Sequence, residues 1–217
     1  MASIIVNAAE RGSVTRVSEG AQLQLRGTRD GAMFVADWYE AHAMEGRIFG
    51  ASFGAVTTPL TFLITAANRP DMWVRCPDGT MILPLVETIT LEAFAGTDTE
   101  IDIRHCQNDI GNGTSSAATA GPLNLRTDAP ISSVCTARQL ATGDTTTETN
   151  PISLWRGTIN TASAAGNDNA AMKTVTRPMM GYPVGVGPYT WETFVAATTT
   201  QADGFGIKTW VEFAERN

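Results

Sequence analysis

Charge is scarce in this chain. Charged residues fill 17% of its 217 positions, below the usual share of about a quarter. Aromatic residues stand at 7%, with two histidines and three cysteines. His42 and His105 form no His-x-His pair, which leaves little material for a transition-metal centre. Cys76, Cys106 and Cys135 contain no Cys-x-x-Cys spacing, so neither a zinc ribbon nor a thioredoxin-type site is supported. They are expected as reduced, part-buried thiols. Serine-nucleophile, dinucleotide-binding and P-loop patterns are missing. No run of 18 apolar residues occurs, which argues against a membrane-spanning helix. The start, Met-Ala-Ser-Ile-Ile-Val-Asn, lacks the basic residues and long apolar stretch of a signal peptide, so synthesis in the cytosol is expected. An arginine-rich arm is also missing: Arg11, Arg16, Arg26 and Arg29 are offset by Glu10, Glu19 and Asp30. With a net charge of -7, the chain is repelled by phosphate backbones, and strong direct nucleic-acid binding is not expected.

What remains is apolar and threonine-rich. Apolar residues make up 43%, enough for a core. Abundant threonine with little charge suits strands. Residues 1–31 read as an entry arm punctuated by Gly12, Gly20, Gly27 and Gly31. Residues 32–217 read as a single β-sandwich domain. Ala, Met and Glu favour a short helix over 33–44, although the same segment could begin a strand. Met72–Cys76 and Met81–Phe94 read as strands joined by the turn Pro77-Asp-Gly-Thr80, where Asp-Gly supplies the positive φ that a tight hairpin needs. Pro84 predicts an edge or a bend. Glu100–Arg104 alternates strictly, with Ile101 and Ile103 inward. Together these strands predict an antiparallel meander. Residues 107–181 turn polar and small, a loop-rich excursion expected to carry short strands at 131–137 and 152–159. A Pro/Gly connector leads to a closing pair of strands at Tyr189–Ala197 and Phe205–Phe213. In the second, Phe205, Ile207, Thr209, Val211 and Phe213 form an apolar stripe of period two. That stripe is expected to be core, and the Lys208–Trp210–Glu212 face is expected to meet a neighbouring subunit.

Candidate chemistry is sparse. His42 and Glu45 stand at helical spacing, but a shared metal would need a second, similarly placed histidine. His105 and Cys106 are adjacent on a strand and so point to opposite faces, which argues against a Cys–His dyad. Asp98, Glu100 and Asp102 share one side of a strand and are weak calcium candidates; a solvated polar face is the simpler reading. No cofactor is expected. Trp155 joins Trp210 as a candidate for a subunit contact.

Three passages resemble a virus-coat jelly roll: Trp73-Val-Arg-Cys-Pro-Asp-Gly-Thr-Met-Ile-Leu-Pro-Leu85, the Ser/Thr/Gly-rich excursion, and the closing strand Ile207-Lys-Thr-Trp-Val-Glu-Phe213. The likeness is one of layout over roughly residues 55–107 and 182–215. It implies two four-stranded sheets face to face with long loops at one end. It also implies a non-enzymatic subunit made in the host cytoplasm, which forms trimers or pentamers and, with other virion proteins, builds a capsid or virion shell. Many simple coats carry an arginine-rich arm; its lack here fits a shell lined by something else, or a protein that decorates an outer surface. Two rivals stand beside this reading. One is a carbohydrate- or receptor-binding module, which needs an exposed tryptophan pair. The other is a cupin-like barrel enzyme, which needs a clustered metal site.

Overall fold

The structure is a computed structural model, which describes residues 38–62, 69–93, 99–128, 131–143, 145–159, 173–179, 184–197 and 202–214. The arm at 1–31, residues 33–37 of the expected helix, and Asp98 lie outside the described residues. One short helix, α1 (Trp38–Met44), precedes the strands β1 (Ile48–Phe53), β2 (Leu60–Thr61), β3 (Met72–Cys76), β4 (Thr80–Ala93) and β5 (Thr99–Cys106). The excursion carries β6 (Ser116–Ala117), β7 (Ala120–Asn124), β8 (Thr136–Gln139), β9 (Ile152–Ile159) and β10 (Lys173–Pro178). The chain closes with β11 (Gly185–Val186), β12 (Tyr189–Ala197) and β13 (Asp203–Ala214).

The strands form two antiparallel sheets. One runs β10-β4-β13-β1-β7, with β11 on β4 and β2 on β13; the other runs β6-β8-β3-β12-β5-β9. The pairing is nested. β5 pairs with β9, β4 with β10, β3 with β12, and β1 with β13. The chain is therefore one long antiparallel ribbon folded at the β5–β9 connection and rolled into a sandwich, which is a jelly roll. The expected all-β sandwich is observed, with a short helix where one was expected.

The local connections differ from expectation. β3 and β4 flank the Asp-Gly turn, and Gly79 has the positive φ of +74° that the turn predicts. Yet the two strands lie in different sheets, as do β4 and β5, and β12 and β13. The predicted hairpin, meander and closing strand pair are all corners between sheets. A turn signal fixes where the chain reverses, not which strand it then pairs with.

The main core lies between the sheets. Phe49 and Phe53 of β1, Ile89 and Leu91 of β4, Ile101 and Ile103 of β5, Val74 of β3, and Trp191 and Val195 of β12 are buried there. Cys76, Cys106 and Cys135 are free and buried, as expected. Pro84 sits in a central strand, at a register shift where Trp210 pairs with it after Thr209 pairs with Val86. It marks the predicted bend, not an edge. The shift also divides the apolar side of β4. Leu83 and Leu85 pack with Ile48, Val211, Ala43 and Phe213 in a small outer cluster, while Ile89 and Leu91 point into the main core.

The same inversion overturns the expectation for β13. Its period of two is real, but the faces are exchanged. Lys208 and Trp210 are fully buried and Glu212 nearly so, whereas Ile207 is exposed. Trp210 joins the main core beside Phe49, with ring centroids 6.3 Å apart. A side chain at Gly206 would collide with the Met72 sulfur, so this face also lies close against the opposite sheet. The Lys208–Trp210–Glu212 face cannot meet a neighbouring subunit, because the second sheet covers Lys208 and Trp210, and Ser133 and Val134 cover Glu212.

Candidate functional site

Three regions hold the polar or exposed groups that could carry function. The first is inside the sandwich. Lys208 on β13 and Glu87 on β4 pair in register and both point inward. Lys208 Nζ donates to Glu87 Oε2 at 2.8 Å and to Thr193 Oγ1 on β12 at 2.6 Å. Thr193 Oγ1 also donates to the other Glu87 oxygen. The ammonium lies 4.1 Å from the centre of the Trp191 ring, a cation–π contact. Lys208, Glu87 and Thr193 have essentially no exposed surface. Burial pushes the Lys208 amine down to about 8, against the opposing pull of Glu87.

The second region lies on the outer side of the β3–β12–β5 sheet, beneath the excursion. Glu192 of β12 is fully buried, and Cys106 Sγ donates to its Oε1 at 2.9 Å. Arg104 of β5 contacts both Glu148 oxygens at 3.2 Å and stacks 3.9 Å from the Phe194 ring centre. It also pairs with Asp102 at 3.1 Å, which Arg156 approaches at 2.8 Å. Burial first, and then the charge of Glu148, raise the Glu192 carboxyl to about 8. A neutral Glu192 explains its otherwise orphaned Oε2: as an acid, it can donate a proton toward the Glu148 carboxylate. The cluster ties the excursion to the sandwich. Asn108 strengthens the tie by donating to Thr147 O at 3.0 Å and accepting from Thr149 N at 2.7 Å.

The third region is apolar and exposed. The excursion strand β7 forms one edge of its sheet. Around it, Met44, Leu123, Leu125, Ile131 and Val134 each leave between 49% and 59% of their surface exposed. Their backbones are tied together. Asn124 donates to Gly46 O at 2.6 Å and Ile131 O at 3.1 Å, Arg126 donates to Met44 O, and Val134 N donates to Glu212 Oε1 at 2.9 Å. Leu125 covers Gly50, where an added Cβ would lie 3.3 Å from its methyl. Exposed apolar groups gathered on one side of a molecule mark interaction surfaces.

The residues singled out from the sequence fall elsewhere. Of the calcium candidates, Glu100 is exposed, Asp102 is held by two arginines, and Asp98 is outside the described residues. No group of three metal-ligating side chains occurs among the described residues. His42 lies 3.5 Å from Glu45 and edge-on to Phe213, packing α1 on the outer cluster. His105 points inward against Tyr189 while Cys106 points outward to Glu192, so no dyad forms. Trp155 is half-buried, with Arg177 4.0 Å over its ring. Sequence reasoning missed Glu87, Glu192 and Glu148, which carry the buried networks. Glu87 sits opposite Lys208 only because β4 and β13 are neighbours, and no local pattern encodes that pairing. Leu123 and Leu125, by contrast, stand out as large apolar residues in a segment of small polar ones.

Compared with protein families, curated proteins and solved structures, the chain matches none.

Proposed function

We propose that the chain is a non-enzymatic structural subunit that self-associates, a shell protein of the capsid or virion kind made in a host cytoplasm. One observation carries this reading: five exposed large apolar side chains cluster beside the edge strand of a jelly roll. Jelly rolls serve shells, lectins and cupins alike, so the surface and not the fold argues the case. Homo-oligomers, trimers or pentamers within a larger shell, would bury this patch, with other virion proteins as further partners. The carbohydrate-binding alternative calls for an exposed tryptophan pair, whereas Trp73, Trp191 and Trp210 are fully buried. The cupin reading calls for a clustered metal site, and no group of three metal-ligating side chains occurs among the described residues.

Electron microscopy of the purified chain tests the proposal, together with Leu125→Asp and Ile131→Asp. The unaltered chain should form closed shells or regular rings. The variants should stay dispersed, with unchanged circular dichroism, because both side chains already face solvent. A monodisperse monomer at high concentration, or variants that assemble like the parent, would overturn it.

A further inference from the structure

We propose that Lys208 and Glu87 condense into an amide that covalently joins β13 to β4 inside the folded sandwich. This inference does not rest on the assembly reading. Three features of the site support it. The amine and carboxyl are already in contact, 2.8 Å from Nζ to Oε2, on strands that pair in register. One hydroxyl, Thr193 Oγ1, touches both reacting groups. The site is closed, with both side chains fully buried and the Trp191 face over the amine.

The step balances without any further reactant. The ammonium and carboxylate together hold three protons on nitrogen. Transfer of one, relayed by Thr193 Oγ1, to Oε1 gives a neutral amine and a neutral acid. Nζ then attacks Glu87 Cδ and a C–N bond forms. Thr193 passes a second Nζ proton to Oε1, whose bond to Cδ breaks, and that oxygen leaves as water. Oε2 remains as the amide carbonyl, and nitrogen keeps one proton. Nothing is oxidised or reduced.

Two physical effects favour the product here and not in water. Holding the reactants together replaces a bimolecular encounter, and well-oriented intramolecular reactions reach effective molarities of about 10⁵–10⁸ M. Condensation also removes two charges from a core where both are desolvated and a buried pair gains little. The lowered basicity of Lys208 increases the fraction of neutral amine, the nucleophilic form.

The intact mass of the full chain, measured under denaturing conditions, tests this directly. The folded protein should weigh less than its sequence by one water molecule. Proteolysis should release a branched peptide that joins the Glu87 and Lys208 segments. Lys208→Met should show the full sequence mass. Thr193→Val should accumulate the linked form at least about tenfold more slowly, while Thr193→Ser restores the rate, since an acid–base contribution of this kind is worth about a hundredfold or more. A buried ion pair with no chemistry predicts the full sequence mass in folded protein after prolonged incubation, and that result would overturn the proposal. Linkage at an undiminished rate in Thr193→Val would overturn the role of the hydroxyl. Should Lys208→Met fail to fold, the mass and peptide map of the unaltered chain still decide.

Discussion

Glu192 is a buried residue whose ionisation bears on stability. The folded chain keeps a proton on it up to about 8, whereas an unfolded chain releases that proton at an ordinary carboxylate value near 4.5. Between those values unfolding therefore releases a proton, and stability falls as pH rises. Below that window both states are protonated and the contribution is flat. The thermal midpoint should thus decline as pH is raised from about 5 to about 8, measured by calorimetry. Glu192→Gln should flatten that decline, because the amide can still donate to Glu148 and accept from Cys106. An unchanged slope in Glu192→Gln would show that another group is responsible. Lys208 and Glu87 matter through their direct pairing in the dry core. In chains where they remain an unlinked pair, Glu87→Ala strands a buried amine and should cost about 3–5 kcal/mol in denaturant unfolding, while replacing both with apolar residues of similar volume should recover most of that loss.

Among the elements, β13 shows how far the sequence could be read. Its alternation was legible, because period two survives in any strand. Which face is core was not, because both faces of this central strand are covered at one end. Val211 and Phe213 pack beneath α1, while Trp210 and Lys208 pack against the opposite sheet. The apolar stripe thus reported the outer cluster, and the polar-looking face hid a buried ion pair that only tertiary pairing completes. β3, β9 and β12 were legible to the residue or nearly so, since Met72–Cys76, Ile152–Ile159 and Tyr189–Ala197 are bounded by turn residues. The exchange of faces reverses an expected phenotype. Trp210→Ala, expected from the sequence to fold and only assemble poorly, should instead lose about 3–5 kcal/mol by opening a core cavity. Ile207→Thr, on the face expected to be core, should stay within about 0.5 kcal/mol of the parent. Chemical unfolding of the two variants separates the assignments cleanly: equal losses would mean that the faces are not distinguished as described.

At the scale of the molecule, the excursion is the part that the sequence described least well and the fold uses most. A bare nested ribbon would leave β1 and β3 as free sheet edges. Here β7 pairs along β1, and β8 along β3, so one polar insertion caps both edges on the same side of the sandwich. Uncovered edges invite uncontrolled pairing between chains. Polar and small as the segment is, it lends Cys135, Ala137, Ile159 and Met179 to the main core, and Ile110 and Ala141 to a smaller cluster with Trp73 and Cys106. The ends of its 115–141 segment are close together, since Thr142 N donates to Thr114 O at 2.7 Å, so residues 115–141 can be excised and bridged by a short glycine linker without straining the path of β5 or β9. The excised chain should still form β structure but should associate through its exposed edges into irregular aggregates, seen as rising light scattering with concentration. Lysines placed at solvent-facing positions of β1 should then reduce that scattering. A monodisperse, cooperatively folding excised chain would show that edge protection is not what the excursion supplies.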